Sequence, residues 1–150
     1  MNRDESLRWM IDEHHRVDEL MRSLRERVAG VPTYHLEHWI PELRSHFDAF
    51  RAHMHKHMAL EERDGYLAPV VEKRPTLTPE VERLQHEHRE FGQLLDGIHR
   101  ELSILRSEDR LLVRDCCNRI NDLLSYIAHH EKDENMLIMF VFTQDMGTKD

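Results

Sequence analysis

Four long stretches of this chain place apolar residues three and four apart, and each stripe is broken once by histidine, or by histidine with glutamate. The first stripe is Leu7, Met10, His14, Val17, Met21, Leu24 and Val28, and the second is Ile40, Leu43, Phe47, Phe50, Met54, His57 and Glu61. The third is Val81, Leu84, His88, Phe91, Leu95, Ile98, Leu102 and Leu105. The fourth is Val113, Cys116, Ile120, Leu123, Ile127, His130, Glu134 and Leu137. Residues at this spacing share one face of an α-helix, the inward seam of a bundle. Five glycines, five prolines and few β-branched runs argue against a sheet. The expected fold is all-α, an up-down-up-down antiparallel four-helix bundle. Its helices span about 4–29, 34–64, 79–106 and 108–140, in one domain over 1–150.

Local signals set these boundaries. Gly30 and Pro32 stop the first helix, and Thr33 is an N-cap candidate for the second. Pro41 either opens the main second helix or kinks an early turn. Gly65 through Thr76 forms the central connection, with a short helical turn around Tyr66 to Val71. Thr78 reads as an N-cap with Pro79 at the first helical position. Ser107 is the N-cap candidate for the last helix, with Glu108 and Asp109 in its first turn.

The polar residues on the seams are His14, His57, Glu61, His88, His130 and Glu134. Two of the pairs are His-x-x-x-Glu, and residues four apart on a helix lie one above the other. Residues equidistant from a turn meet at equal height in an antiparallel hairpin. His14 and Glu61 centre near Glu37, Glu61 and His88 near Arg74 and Pro75, and His88 and Glu134 near Leu111. All three centres fall in or close to a predicted turn, so the six residues reach one level within about a turn, ~5.4 Å. Inward-facing imidazoles and carboxylates are costly to bury without a partner, and a metal ion is the simplest one. Four imidazoles and two carboxylates with no thiolate suit iron, manganese or zinc. The chain also repeats itself. Glu13-His14-His15-Arg16-Val17 resembles Glu87-His88-Arg89-Glu90-Phe91, and a His-x-x-x-Glu follows each about 42 residues later. A ligand set in each hairpin suits two metal ions, with open positions for water, dioxygen, peroxide or nitric oxide.

Other features narrow the class. The net charge of -8 opposes binding to nucleic acid or an anionic membrane. No apolar run reaches the ~20 residues of a membrane span. The start MNRDESLRW has no secretory core, and adjacent Cys116 and Cys117 imply no disulfide framework, so the cytoplasm is expected. The two cysteines read as packing residues, with a redox role as the alternative. His15, His38, His46, His55, His86 and His99 are expected at the surface, and Glu62 is expected to be no ligand but a solvated residue or one that orients a histidine. The apolar tail from Met136 to Phe142 is expected to cover the bundle end, with a dimer contact as the sharper alternative.

Glu13-His14, His57-x-x-x-Glu61-Glu62, Glu87-His88 and His130-x-x-x-Glu134 resemble the hemerythrin-like (HHE cation-binding) domain family over nearly the whole chain. The resemblance implies a four-helix bundle around a non-haem di-iron centre, bridged by two carboxylates and an oxo or hydroxo group. His14, His57, His88 and His130 would be terminal ligands and Glu61 and Glu134 the bridges. Two departures stand out. Leu84 holds the place of the first histidine in the His-x-x-x-His that oxygen carriers have on the third helix. Their His-x-x-x-x-Asp on the fourth helix is here His130-x-x-x-Glu134. A fifth histidine is therefore missing, and His53, His35, His129 or water would replace it. The resemblance thus does not extend to simple reversible oxygen transport, and the pattern is more similar to bacterial stress-linked and sensing members. Three functions use this same set of ligands. One is binding or sensing dioxygen or nitric oxide, another is an enzyme consuming peroxide or nitric oxide, and the third is iron storage or donation. A monomer or weak homodimer is expected.

Overall fold

The computed structural model describes residues 3–64 and 67–147, excluding the side chains of residues 3, 4, 6, 7, 64 and 142–147. Gly65 and Tyr66 of the expected connection, and the side chains of Leu7 and Phe142, lie outside the described residues. Four long helices carry the fold: α1 Arg3–Ala29, α2 Leu36–Asp64, α4 Thr78–Ile104 and α5 Arg110–Gly147. A short helix, α3 Ala68–Lys73, and a 3-10 turn, Pro75–Leu77, link α2 to α4. No strand occurs among the described residues.

Each long helix packs on its two sequence neighbours, and α1 closes the ring against α5. Side-chain pairs show that neighbours run antiparallel. Arg44, Asp48 and Arg51, rising along α2, meet Leu102, His99 and Asp96, descending α4. Arg119 of α5 pairs with Glu101, and Asp133 with Arg83. Arg44 donates from Nε and Nη2 to the Leu102 carbonyl at 2.9 and 2.7 Å. That carbonyl belongs to the last turn of α4, where it also accepts from the Leu105 N–H at 3.4 Å.

Several boundaries differ from expectation for local reasons. Thr33 does not cap α2; the His35 carbonyl accepts from His38 and Trp39, and His35 adopts φ 64 in the turn. Pro41 lies inside α2, where its missing N–H removes one early hydrogen bond. Thr78 is itself helical, and its hydroxyl donates back to the Pro75 carbonyl at 2.7 Å. Leu77 holds the cap position instead. Ser107 bonds Glu108 at 3.2 Å, and α5 begins only at Arg110, after Asp109 turns back to the Arg106 carbonyl. No glycine or proline interrupts α5 before Gly147, so it runs past the expected end near residue 140.

The core falls into two apolar clusters. The larger includes Val17, Leu24, Leu43, Phe47, Phe50, Leu95, Leu102, Ile120, Leu124 and Ile127. Side chains of this size each contribute ~1.5–3 kcal/mol on burial. The smaller comprises Met10, Leu67, Val70, Val81, Leu84, Ile138 and Val141. Ile138 and Val141 thus bring the tail over that end of the bundle, while Met136, Met139 and Phe140 face outward. Cys116 and Cys117 are free and buried in the larger cluster. Burial pushes their thiols up to about 12 and about 11, which leaves little reactive thiolate. Among the described residues no helix is long and apolar enough to cross a membrane.

His15, His38, His46 and His86 are exposed as expected. His55 and His99 are not: they are half-buried along the α2–α4 seam, paired with Asp96 at 2.9 Å and Asp48 at 2.7 Å.

Candidate metal centre

The buried polar side chains His14, His57, Glu61, His88, His130, Glu131 and Glu134 interrupt the apolar core. Every long helix supplies at least one: α1 gives His14, α2 His57 and Glu61, α4 His88, and α5 the other three. They form two groups that share Glu61. The first is His14, His57, Glu61 and Glu131; the second is Glu61, His88, His130 and Glu134. Within each group, one nitrogen or oxygen per residue lies within 4.8 Å of the others. Ligands held ~2.1 Å from one ion are at most ~4.2 Å apart. Each group is therefore close to the span of a metal shell, and small side-chain rotations would close it.

The shared carboxylate faces both ways. Glu61 Oε1 touches His57 Nε2 and lies 3.5 Å from His14 Nε2, while Oε2 lies 3.2 Å from His88 Nε2. Glu131 spans the first group, with Oε2 2.6 Å from His14 Nε2 and Oε1 3.3 Å from His57 Nε2. Glu134 Oε1 touches His130 Nε2 and lies 3.6 Å from His88 Nε2.

The far sides of the rings are held as well. His14 Nδ1 donates to Asn135 at 2.7 Å, His88 Nδ1 to Glu62 at 3.2 Å and His130 Nδ1 to Glu87 at 2.8 Å. His57 Nδ1 faces Glu13 at 3.6 Å. A neutral imidazole that donates through Nδ1 presents a lone pair at Nε2, the tautomer a metal requires. Trp9 stacks on His57 with ring centroids 6.3 Å apart, and Phe91 meets His130 edge-on at 5.1 Å. These contacts fix ring orientation.

The four Nε2 atoms, with both oxygens of Glu131 and of Glu134, are buried and have no hydrogen-bond partner among the described residues. Such groups cost ~1–3 kcal/mol each, and more when charged. A cation at each group would satisfy them together, so the residues present fit a metal centre.

With protons as the only cations, the groups balance one another unevenly. Burial opposes charge on His14 and His57, but the Glu131 and Glu61 carboxylates beside their Nε2 atoms outweigh it and raise them to about 11 and about 10. Burial likewise opposes protonation of His88, and Glu61 and Glu62 overcome it. For His130, burial prevails over its hydrogen bond to Glu87 and lowers its value. Glu131 is held at about 2 because His14 and His57 outweigh its burial, and Glu61 is lowered for the same kind of reason. Glu134 is pushed well above the usual carboxylate range, first by burial and then by the charge of Glu61. With protons alone, the carboxylate beside ionised Glu61 is thus driven toward its neutral form.

Two clefts approach this level. One of about 410 Å³ is lined by Glu61, Glu62, Leu67, Val71, Val81 and Gln85 among others. Another of about 180 Å³ reaches His14 and Asn135 between Ile11 and Met139.

All six residues singled out in the sequence lie at this level. Glu61 belongs to both groups, whereas Glu134 belongs to the second group alone. None of the three histidines offered as a fifth ligand belongs to either group. His53 is half-buried and pairs with Glu13 at 2.5 Å. The side chains of His35 and His129 are 79% and 74% exposed. Glu131 occupies the first group instead. It lies one residue off the single-file seam, which is why that seam does not include it. A wider signal exists: α5 turns adjacent pairs inward every seven residues, namely Cys116-Cys117, Leu123-Leu124, His130-Glu131 and Leu137-Ile138. Glu62 accepts from His88 as expected; Glu87 and Asn135 play the same part without having been singled out for it.

A family model described as the hemerythrin HHE cation binding domain matches residues 5–142. Comparison with curated proteins and with solved structures gives no match.

Proposed function

The chain belongs to the hemerythrin HHE cation-binding domain family, and from that premise we propose that it is a cytoplasmic di-iron protein that binds or senses dioxygen or nitric oxide. His14, His57 and Glu131 would hold one ion and His88, His130 and Glu134 the other, with Glu61 common to both groups. Iron held by such nitrogen and oxygen ligands supplies one-electron chemistry and affinity for small diatomic molecules.

The observation that carries this reading is the orientation of the rings. Three Nδ1 atoms are engaged by outer acceptors, while all four Nε2 atoms face the buried carboxylates. The polypeptide does the rest. Glu62, Glu87 and Asn135 fix the tautomers, and Trp9 and Phe91 limit ring motion. The apolar clusters on either side keep bulk water from the level. Four helices contribute residues, so the site forms only when the bundle is assembled.

Stopped-flow mixing of the reduced, iron-loaded protein with dioxygen, nitric oxide and peroxide tests the reading. A stable, reversible adduct with dioxygen or nitric oxide is expected. Sustained turnover of peroxide or nitric oxide would replace it with an enzymatic role. Iron released without adduct or turnover would replace it with storage.

A further inference from the structure

The two clefts that approach the polar level differ in size and in charge. The larger, about 410 Å³, is lined from α2, α3 and the first turns of α4, and it carries the carboxylates of Glu61, Glu62, Glu72 and Glu82. No lysine or arginine lines it among the described residues. Its carboxylates are graded by depth. Glu72 on α3 and Glu82 on α4 are exposed. The Glu62 side chain is 45% exposed, and its Oε1 lies 3.2 Å from His88 Nδ1. Glu61 is fully buried, with Oε2 3.2 Å from His88 Nε2. The series therefore ends on the carboxylate that the two candidate metal groups share. The smaller cleft, about 180 Å³, lies between α1 and α5. Met10, Ile11, Ile138 and Met139 make most of its walls, and Asp18 is its one carboxylate among the described residues.

We propose that the larger cleft is the passage by which divalent cations reach and leave the polar level: Glu72 and Glu82 gather the ion at the mouth, and Glu62 passes it to Glu61. This rests on the two-metal reading above. A buried centre in an assembled bundle needs an entry path. A cleft lined by one sign of charge focuses the field and raises the local concentration and on-rate of the opposite ion ~10–10³-fold. An apolar cleft does the reverse, because an ion that sheds water there meets no ligand in exchange. A water needs ~10–15 Å³ of such a space, so the larger cleft admits an ion with waters still attached. Carboxylates at successive depths then replace those waters in steps. Ala68 lines the same cleft from α3 and is exposed, so a bulky side chain there narrows the mouth without removing a carboxylate.

The test measures anaerobic uptake and release of ferrous iron by stopped flow, against a coloured ferrous chelator, at low and high salt. It compares wild type with the double variant Glu72→Lys/Glu82→Lys, with Ala68→Trp and, in the smaller cleft, with Ile11→Trp. The double variant takes up iron about tenfold or more slowly at low salt, and the difference shrinks at high salt, which screens the charges at the mouth. Ala68→Trp slows uptake and release by the same factor and leaves iron affinity unchanged, because a passage sets rates and not the equilibrium. Ile11→Trp keeps the wild-type rates. The inference is overturned if the double variant takes up iron at the wild-type rate at low salt, if Ala68→Trp leaves both rates unchanged, or if Ile11→Trp is the variant that slows uptake. A wild type that takes up no iron would instead overturn the two-metal reading. Circular dichroism checks folding; if Ala68→Trp does not fold, the double variant and its salt dependence decide alone.

Discussion

Glu61→Gln removes a charge but little volume, and its effect separates a metal-holding carboxylate from a buried ion-pair partner. Glu61 lies within 3.5 Å of His14 and within 3.2 Å of His88, and also touches His57. Both ions would therefore lose an anionic ligand at once. Loss of an outer hydrogen-bond partner alone weakens metal affinity ~10–100-fold, so ~100-fold is a lower figure for a ligand. At a metal concentration 100 times the wild-type Kd, binding stabilises the fold by ~2.7 kcal/mol, and a 100-fold weaker site keeps only ~0.4. The variant thus forfeits about 2 kcal/mol of metal-linked stability, or ~5–9 °C in Tm for a chain of this size. In the metal-free protein it also loses a partner of the charged imidazoles, a cost of ~3 kcal/mol for a broken buried pair. The assay is a set of thermal melts of wild type and variant, with iron and with chelator, beside metal analysis. Iron should raise the wild-type Tm clearly and the variant Tm hardly at all. If iron raises both by the same amount, Glu61 serves only as an ion-pair partner and the reasoning fails.

Three further perturbations follow from the same geometry. Glu87→Ala removes the acceptor from His130 Nδ1 and should weaken iron binding ~10–100-fold with the bundle intact, read by competition with a chelator; unchanged affinity would show that the contact does not orient the ring. The pKa values of His14 and His57 are raised in the fold, so their contribution to metal-free stability is complete below about pH 6.5 and is lost as pH rises through about 11 and about 10, respectively. Glu131 is lowered, so its contribution is present above about pH 4.5 and lost as pH falls through about 2; denaturant melts across pH should show both limbs. Because the same histidines must lose protons to bind iron, iron uptake should release protons and tighten with rising pH near neutrality, and calorimetry in buffers of different ionisation heat that finds no release would contradict this. Leu84→His places an imidazole one turn before His88, in the apolar cluster beside the polar level, and should alter the optical spectrum of the iron-loaded protein; an unchanged spectrum would show that the new ring does not reach the ion.

The helical stripes were legible because a bundle repeats its seam every three or four residues, and the same periodicity exposed His14, His57, Glu61, His88, His130 and Glu134 as misfits. Their common height followed from hairpin geometry, which tolerates errors of a turn. Helix ends were less legible. Thr33, Thr78 and Ser107 all have capping side chains, yet local turns engage or bypass them: Thr78 with Pro75, Ser107 with Glu108. Glu131 escaped notice because a charged residue one step off the seam looks like a solvated one. Only the width of the buried face of α5, shown by Cys117 and Leu124 at the same heptad position, reveals that it points inward. His53, His35 and His129 looked interchangeable as extra ligands because sequence spacing does not say which neighbour a side chain meets. Glu13 engages the first, and the other two are exposed.

Anomalous diffraction from crystals of the iron-loaded protein puts the central claim to its most direct test. Two iron peaks per chain are predicted, one among His14, His57 and Glu131 and one between His88 and His130, with Glu61 reaching both. Well-ordered crystals with these side chains at the same level and no iron peak between them would contradict the account.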